Sequence, residues 1–348
     1  MRDYLVFVRA GKSSLHPQWL ADDPARNWDC YVNAWADDSG TSAAEAGVEY
    51  YQGGGINKFE AFADAMEGPL EGMAYRYVLM LDDDLGFEPG SMSRFFEVCE
   101  AHRLFLTQPA IAWGSHANHR VNICNPICLV RQTNFVEVMA PCFSNWALKE
   151  LLPTFRLTRC TWGIDYAWSA LLLRQGLITV VDQITMAHTK PMDRSGGPFY
   201  QMLRASGTDP EEELREVHRS YPPVGDFATL PEGHVYRYAL PASLNARLVA
   251  WVEQRKAGFH EARGGTIVPA RPVDTGTQPN VQPNVQPNVL PNVLPEVQPE
   301  VPPADAAGTG PAPSASRQAG APPSFVASSV PSSNASTTAA SSGTGVAR

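Results

Sequence analysis

Three consecutive carboxylates, Asp82, Asp83 and Asp84, end the apolar and aromatic run Tyr75-Arg76-Tyr77-Val78-Leu79-Met80-Leu81. A run of that kind, closed by acids and then by Gly86 and Pro89, predicts a buried strand whose carboxyl end opens into a polar site. Three crowded carboxylates repel one another and lose hydration, and a shared divalent cation keeps them ionised at the least cost. Hard oxygen donors at such a place suit Mn²⁺ or Mg²⁺ rather than zinc. An acidic turn leading into the next helix is the alternative.

A second acid, Asp165 in Trp162-Gly163-Ile164-Asp165, stands directly before an apolar helical run. An acid at that place is suited to cap the helix. Glu137 interrupts the apolar stretch Phe135–Ala140, and a carboxylate at that depth needs a partner, for which an acceptor hydroxyl is one candidate. Gly53-Gly54-Gly55-Ile56-Asn57-Lys58 joins a predicted strand to a helix, so its amides, Asn57 and Lys58 are positioned to meet a phosphate or ribose. The glycines of Arg194-Ser195-Gly196-Gly197-Pro198-Phe199-Tyr200 would suit a mobile lid.

These residues need a scaffold. Strands are predicted at Tyr4–Arg9, Asp29–Ala34, Val48–Gln52 and Tyr77–Leu81, with helices from Ile56 to Met66 and from Pro89 to His102. Further on come Phe105–Gln108, Ile111–Trp113 and Phe135–Ala140 as strands, helices at Trp146–Thr154 and Tyr166–Arg174, and the strand Ile178–Val181. Alternation of this kind indicates an α/β domain with a Rossmann-like, mainly parallel sheet flanked by helices. A nucleotide-binding half and an acceptor half would share one continuous sheet.

Composition divides the chain at about Gly264. Residues 1–263 form the expected domain, whereas 264–348 carry half of the 30 prolines, no Cys or Trp, and a degenerate Gln-Pro-Asn-Val repeat starting at Gln278. Such a tail buries too little apolar surface to fold and is expected to be extended and disordered. Of the net charge of −9 the tail supplies −1, leaving −8 on the domain, opposite in sign to a phosphate-backbone binder, so nucleic acid is not an expected partner. No segment is long and apolar enough for a membrane span, and the start does not read as a signal peptide. The six cysteines lie in apolar contexts, and Cys124 and Cys128 lack the second pair of a zinc site, so buried thiols are expected.

Three segments in order, Leu81-Asp82-Asp83-Asp84-Leu85-Gly86, Phe135-Val136-Glu137-Val138-Met139-Ala140-Pro141-Cys142-Phe143-Ser144, and Trp162-Gly163-Ile164-Asp165 followed by Val180-Val181-Asp182 and His188, carry a resemblance. The chain resembles the domain of unknown function 707 family, which is itself similar to glycosyltransferases of the GT-A fold. The resemblance is close from Tyr75 to Pro191, looser elsewhere, and absent from the tail. The plant members usually have Trp-Asp-Glu-Asp-Leu-Gly at the acidic strand end, and both outer carboxylates are kept here.

The resemblance implies a metal-dependent transferase moving a sugar from a UDP- or GDP-sugar to a hydroxyl of a glycan or lipid-linked acceptor. It implies Asp82 and Asp84 as the Asp-X-Asp metal site, with His188 returning as a third ligand and Asp83 and Lys190 near the donor. Asp165 becomes the general base of an inverting reaction, with Trp162, Gly163 and Glu137 on the acceptor side. The membrane anchor of the plant proteins is missing from this sequence, so a bacterial cytoplasmic setting is expected, with a peripheral position at the inner membrane left open. A noncatalytic sugar-nucleotide or glycan binder, its tail tethering a partner, is the alternative from another class.

Overall fold

A computed structural model describes residues 1–35, 47–172, 176–191 and 198–262. In chain order these form β1 (Tyr4–Ala10), α1 (His16–Asp22), β2 (Trp28–Ala34), β3 (Tyr50–Gly53), α2 (Lys58–Met66), β4 (Tyr77–Asp82), β5 (Leu85–Phe87) and α3 (Ser91–Ala101). They continue with β6 (Leu106–Ile111), a 3₁₀ turn (Arg120–Asn122), β7 (Cys128–Gln132), β8 (Cys142–Ser144), α4 (Asn145–Leu151), a second 3₁₀ turn (Leu152–Arg156), α5 (Ile164–Leu172) and β9 (Ile178–His188). The last elements are α6 (Pro198–Ala205), α7 (Pro210–Ser220), β10 (Val235–Tyr236) and α8 (Ala242–Ala262). The predicted tail, the lid residues Arg194–Gly197 and the end of the predicted helix at Arg174 lie outside the described residues.

One sheet runs β10-β7-β9-β6-β8-β4-β1-β2-β3, with β5 paired to β9. Strands β1, β2, β3 and β4 are parallel neighbours, and β8 runs against both β4 and β6, so β6 and its parallel partner β9 point the same way as β4. The sheet is therefore mainly parallel and continuous across both halves. Its central strands are apolar on both faces because both are covered. Tyr4, Val6 and Val8 meet Trp19 of α1 and Phe95 and Phe96 of α3, whereas the alternate residues Leu5 and Phe7 meet Phe59 and Phe62 of α2 and Trp168 of α5. Alternation along the strand, with no net polar face, is what places helices on each side.

Several expectations need correction. In place of the two strands expected at Phe105–Gln108 and Ile111–Trp113 there is one, β6, which ends at Ile111 and carries Pro109 at a register shift against β9. The helix expected from Trp146 to Thr154 ends at Leu151 and tightens to 3₁₀ geometry at Pro153, where the missing N–H cannot continue the ladder. Strand β9 extends through His188, well beyond Val181, after a bulge that turns Asp182 inward.

Phe135–Ala140 is not a strand. Side chains take up part of its backbone: Glu137 N–H donates to Gln108 Oε1 at 2.7 Å, and the carbonyls of Val138 and Met139 accept from Lys58 Nζ, while Met139 O also accepts from the Asp82 N–H at 2.9 Å. All six cysteines are free and buried, and burial pushes the Cys124 and Cys128 thiols up to about 12, which makes them poor metal ligands. Among the described residues no helix is long and apolar enough to cross a membrane.

Candidate functional site

The carboxyl ends of β1, β4 and β9 open into a cleft of about 860 Å³, the place where open α/β sheets bind ligands. Ten of the eleven sequence-predicted site residues line it: Asn57, Lys58, Asp82, Asp83, Asp84, Glu137, Trp162, Gly163, Asp165 and His188. Lys190 does not, and its Nζ donates instead to Ser13 Oγ at 2.8 Å.

At one end stands the acidic cluster. Asp84 leaves the end of β4 and is fixed against β9, since Thr189 donates to its carbonyl from both N–H and Oγ1, at 3.1 and 2.7 Å. Pairing of Leu85 with His188 brings the His188 Nε2 to 3.6 Å from Asp84 Oδ2, too long for a hydrogen bond. Burial lowers the His188 pKa, but the Asp84 carboxylate beside it more than restores it, and the net direction is upward. Asp84 moves the opposite way: burial raises it, and His188 and Lys190 bring it below the usual value. His188 Nδ1 is buried without a hydrogen-bond partner.

Asp82 is the surprise of the cluster. Its Oδ1 accepts from Lys58 Nζ at 2.8 Å, and the same ammonium donates to the carbonyls of Val138 and Met139 at 2.7 and 3.1 Å. Lys58 is 4% exposed and Asp82 46%, so a buried cation holds a carboxylate that faces the open cleft. Burial lowers the Lys58 pKa while Asp82 opposes the fall. Asp83 turns away from the others, and its Oδ2 accepts from the Gly11 N–H at 2.6 Å.

Divalent-cation chemistry can be tested against these donors. Asp84 and His188 fit it, a carboxylate oxygen and an imidazole nitrogen held close by paired strands. Asp82 fits less well, because Lys58 already neutralises it. Among the described residues no group of three His, Cys, Asp or Glu side chains is arranged to hold a metal ion.

The Gly53–Gly55 loop has a different partner from the one expected. Arg9, at the end of β1, donates to the carbonyls of Gly54, Gly55 and Ile56 at 3.0, 2.7 and 3.2 Å and to Asn33 Oδ1. A cation thus organises this loop and lines the cleft. Asn57 caps α2, accepting from Phe59 and Glu60 N–H at 2.9 Å each, and ties the helix to the carbonyls of Thr158 and Arg159.

The other end of the cleft is formed by a strained turn and an aromatic wall. Thr161 has φ +69° and Gly163 φ +90°. A β-branched residue in that region is an outlier, and such strain gathers at sites that must present a side chain. Here the turn presents Trp162, whose Nε1 donates to Tyr200 Oη at 3.0 Å. A Cβ on Gly163 would lie 3.0 Å from Val217 of α7, so only glycine lets α7 approach.

Asp165 sits in the first turn of α5, inside the helix and not at its cap, and its Oδ1 accepts from the Tyr166 N–H at 3.0 Å. Burial, with Glu137 as the next cause, pushes the Asp165 pKa up to about 8. Glu137 is held by Asn118 Nδ2 at 2.6 Å and Asn122 Nδ2 at 3.5 Å. Phe227 stacks on Phe135 at 3.8 Å and meets Tyr166 edge-on at 4.9 Å.

Sequence reasoning missed Arg9, Tyr166, His218 and Phe227 among the lining residues. The pinning of Asp226-Phe227-Ala228 by Asn134, which donates to Asp226 O at 2.9 Å and accepts from Ala228 N at 2.7 Å, leaves no local sequence pattern.

No family model matches the chain, the domain of unknown function 707 included, and no curated protein matches it in sequence. Among solved structures, the chain is similar to a protein described as a nucleotide-diphospho-sugar transferase from Desulfovibrio desulfuricans G20, at 11% identity and a TM-score of 0.36, over 62% of this chain and 99% of that one. It is also similar to residues 1–349 of S. aureus TarS, solved in complex with UDP-GlcNAc, at 11% identity and a TM-score of 0.44, over 75% of this chain and 73% of that one.

Proposed function

We propose that the chain is a glycosyltransferase that takes a sugar from a nucleotide-sugar donor and passes it to an acceptor hydroxyl. The observation that carries this reading is the division of one cleft into an acidic end, Asp82 and Asp84 with His188 and Lys58, and an aromatic end that contains the buried carboxylate Asp165. The acidic end suits a diphosphate with its counter-cation, and the aromatic end suits a sugar ring. A Mn²⁺ or Mg²⁺ held by Asp84 and His188 would supply Lewis-acid stabilisation to the departing diphosphate.

This chain's own residues do the rest. Burial raises the Asp82 pKa, Lys58 opposes that rise and aims the carboxylate into the cleft, and Arg9 holds the Gly54–Ile56 carbonyls so that the loop before α2 keeps its shape. Asp165, with a pKa near 8, accepts the proton of the acceptor hydroxyl as the acceptor oxygen bonds to the anomeric carbon and the bond from that carbon to the diphosphate oxygen breaks. Trp162 and Phe227 give the acceptor an apolar face, and Glu137 accepts from a sugar hydroxyl. Attack from the side opposite the leaving group inverts the anomeric centre.

A second reading has an observation of its own. Lys58 already supplies a fixed positive charge to the acids, as a site that binds a nucleotide-sugar without turning it over would need. Release of nucleoside diphosphate from a panel of UDP- and GDP-sugars, with Mn²⁺ and an acceptor extract, separates the two. Turnover that falls roughly 10²–10⁴-fold in Asp165→Asn, with donor binding kept, supports the transferase. Equal turnover in the two proteins removes Asp165 from the mechanism, and binding without turnover in either supports the binder.

A further inference from the structure

The surface formed by α8 and the segment before it is unlike the rest of the molecule. Among the described residues twelve large apolar side chains are exposed, and four of them, Tyr238 (50%), Leu240 (40%), Leu244 (39%) and Trp251 (52%), fall within fourteen positions. On α8 the exposed Leu244, Trp251 and Arg255 and the half-buried Leu248 follow the i, i+4, i+7, i+11 spacing. At 100° per residue they occupy a sector of about 60°. The inward face is separate, carrying the buried Asn245, Val249, Val252 and Lys256.

Charge on this surface opposes that of the whole chain, which is −9. From 237 to 258 the exposed charges are Arg237, Arg247 and Arg255. The one acid in that span, Glu253, is turned inward onto Lys256 Nζ and Asn125 Nδ2, at 2.7 and 2.8 Å. Arg255 lies over the Trp251 ring at 4.0 Å, so the cation and the apolar ring form one feature.

The face is also rigidly mounted. Arg131 and Asp182, both fully buried, join at 2.8 Å, and Asn125 links Asp182 to Glu253 of α8. Arg131 also donates to the carbonyls of Val121 and Ile123 at 2.7 and 3.1 Å. Helix α8 packs on that Arg120–Asn122 turn, and Arg120 and Val121 line the cleft. The apolar and basic face is therefore fixed next to a cleft wall.

We infer that this face docks the protein onto an anionic lipid surface, with Tyr238, Leu240, Leu244 and Trp251 entering the interfacial layer and Arg247 and Arg255 meeting lipid phosphates. Aromatic and leucine side chains flanked by arginine are the combination that holds a helix in the plane of a bilayer interface. Charge complementarity selects the lipid: a chain of net charge −9 gains nothing from an anionic bilayer except through this basic stripe. For the proposed transferase, the consequence is an acceptor drawn from the membrane, a lipid carrying a free hydroxyl at its headgroup. That last step rests on the transferase reading; the docking itself does not.

Co-sedimentation of the full chain with phosphatidylcholine vesicles, with and without a quarter of phosphatidylglycerol, tests the inference. Binding is expected to the anionic vesicles alone, to weaken as salt rises from 0.1 to 0.5 M, and to fall about fivefold for each of Arg247→Gln, Arg255→Gln and Trp251→Ser. These positions are exposed, and unchanged thermal melting of the variants verifies that the fold is kept. No sedimentation with anionic vesicles at low salt overturns the inference, as does sedimentation that the three substitutions leave unchanged. Self-association lost in Trp251→Ser, without vesicle binding, also overturns it and makes a second copy the occupant. Nucleoside diphosphate binding measured on the same proteins keeps failure of the docking apart from failure of the transferase reading.

Discussion

Asp165 offers the sharpest physical test, because its carboxyl is almost wholly buried and its pKa is pushed up to about 8 against an ordinary value of 3.8. Below pH 3.8 the group is protonated in both folded and unfolded chains and has no effect on stability. Between pH 3.8 and about 8 the unfolded chain loses its proton and the folded protein keeps it, so stability falls by about 1.4 kcal/mol for each pH unit. Above pH 8 both states are ionised and the loss is complete, about 6 kcal/mol at most. Asp165→Asn cannot titrate and escapes this loss. For a domain of this size 1 kcal/mol moves the melting temperature by about 2–4 °C. The asparagine variant should therefore melt on the order of 10 °C higher than the original at pH 9, with the gap shrinking steadily toward pH 5. Scanning fluorimetry of both proteins from pH 5 to 9 measures it. The same ionisation makes turnover rise about tenfold per pH unit up to pH 8 and then level off. Parallel melting curves for the two proteins at every pH would refute the burial argument.

Two further substitutions test the scaffold of the cleft. Lys58→Met removes the ammonium donor from the carbonyls of Val138 and Met139, while Asp82 stays open to the cleft, and should destabilise the fold by about 1–3 kcal/mol in urea denaturation, against less than 1 kcal/mol if the ammonium is solvated. Gly163→Ala forces a Cβ at φ +90° to 3.0 Å from Val217 and should cost about 1–3 kcal/mol in the same assay while leaving α2 and the acidic end intact; a neutral result would mean that α7 yields.

Much of this site is legible in the sequence, and the reason is local. The run ending in Asp82–Asp84 encodes both a buried strand and its polar mouth, whereas His188 comes only from the resemblance, the predicted strand stopping at Val181, short of the pairing that brings it to Asp84. Asn57 is read from its place before α2, whereas Asp165, expected before its helix, lies inside the first turn of α5. What escapes is set by long-range packing. Lys58 reads at a helix start as a residue able to meet a phosphate or ribose, and only the packing of α2 beside β4 buries its ammonium against Asp82. Phe135–Ala140 has strand composition, yet Gln108 and Lys58 hold the Glu137 N–H and the Val138 and Met139 carbonyls, and only Met139 reaches β4 through its backbone. Arg9 ends a strand where polarity reads as exposure, although it is the hub of the loop before α2. Phe227 carries no periodic signal, since it is placed by Asn134 from 93 residues away.

The central claim is that the acidic end of the cleft receives a nucleoside diphosphate, and ligand-dependent melting measures it most directly. With UDP or GDP plus Mn²⁺ at about a hundred times the dissociation constant, the fold should gain about 2.7 kcal/mol, a rise of several degrees. Asp84→Ala should melt normally without ligand and lose that rise. The absence of any shift with UDP or GDP, with or without Mn²⁺, in the unsubstituted protein would contradict the account.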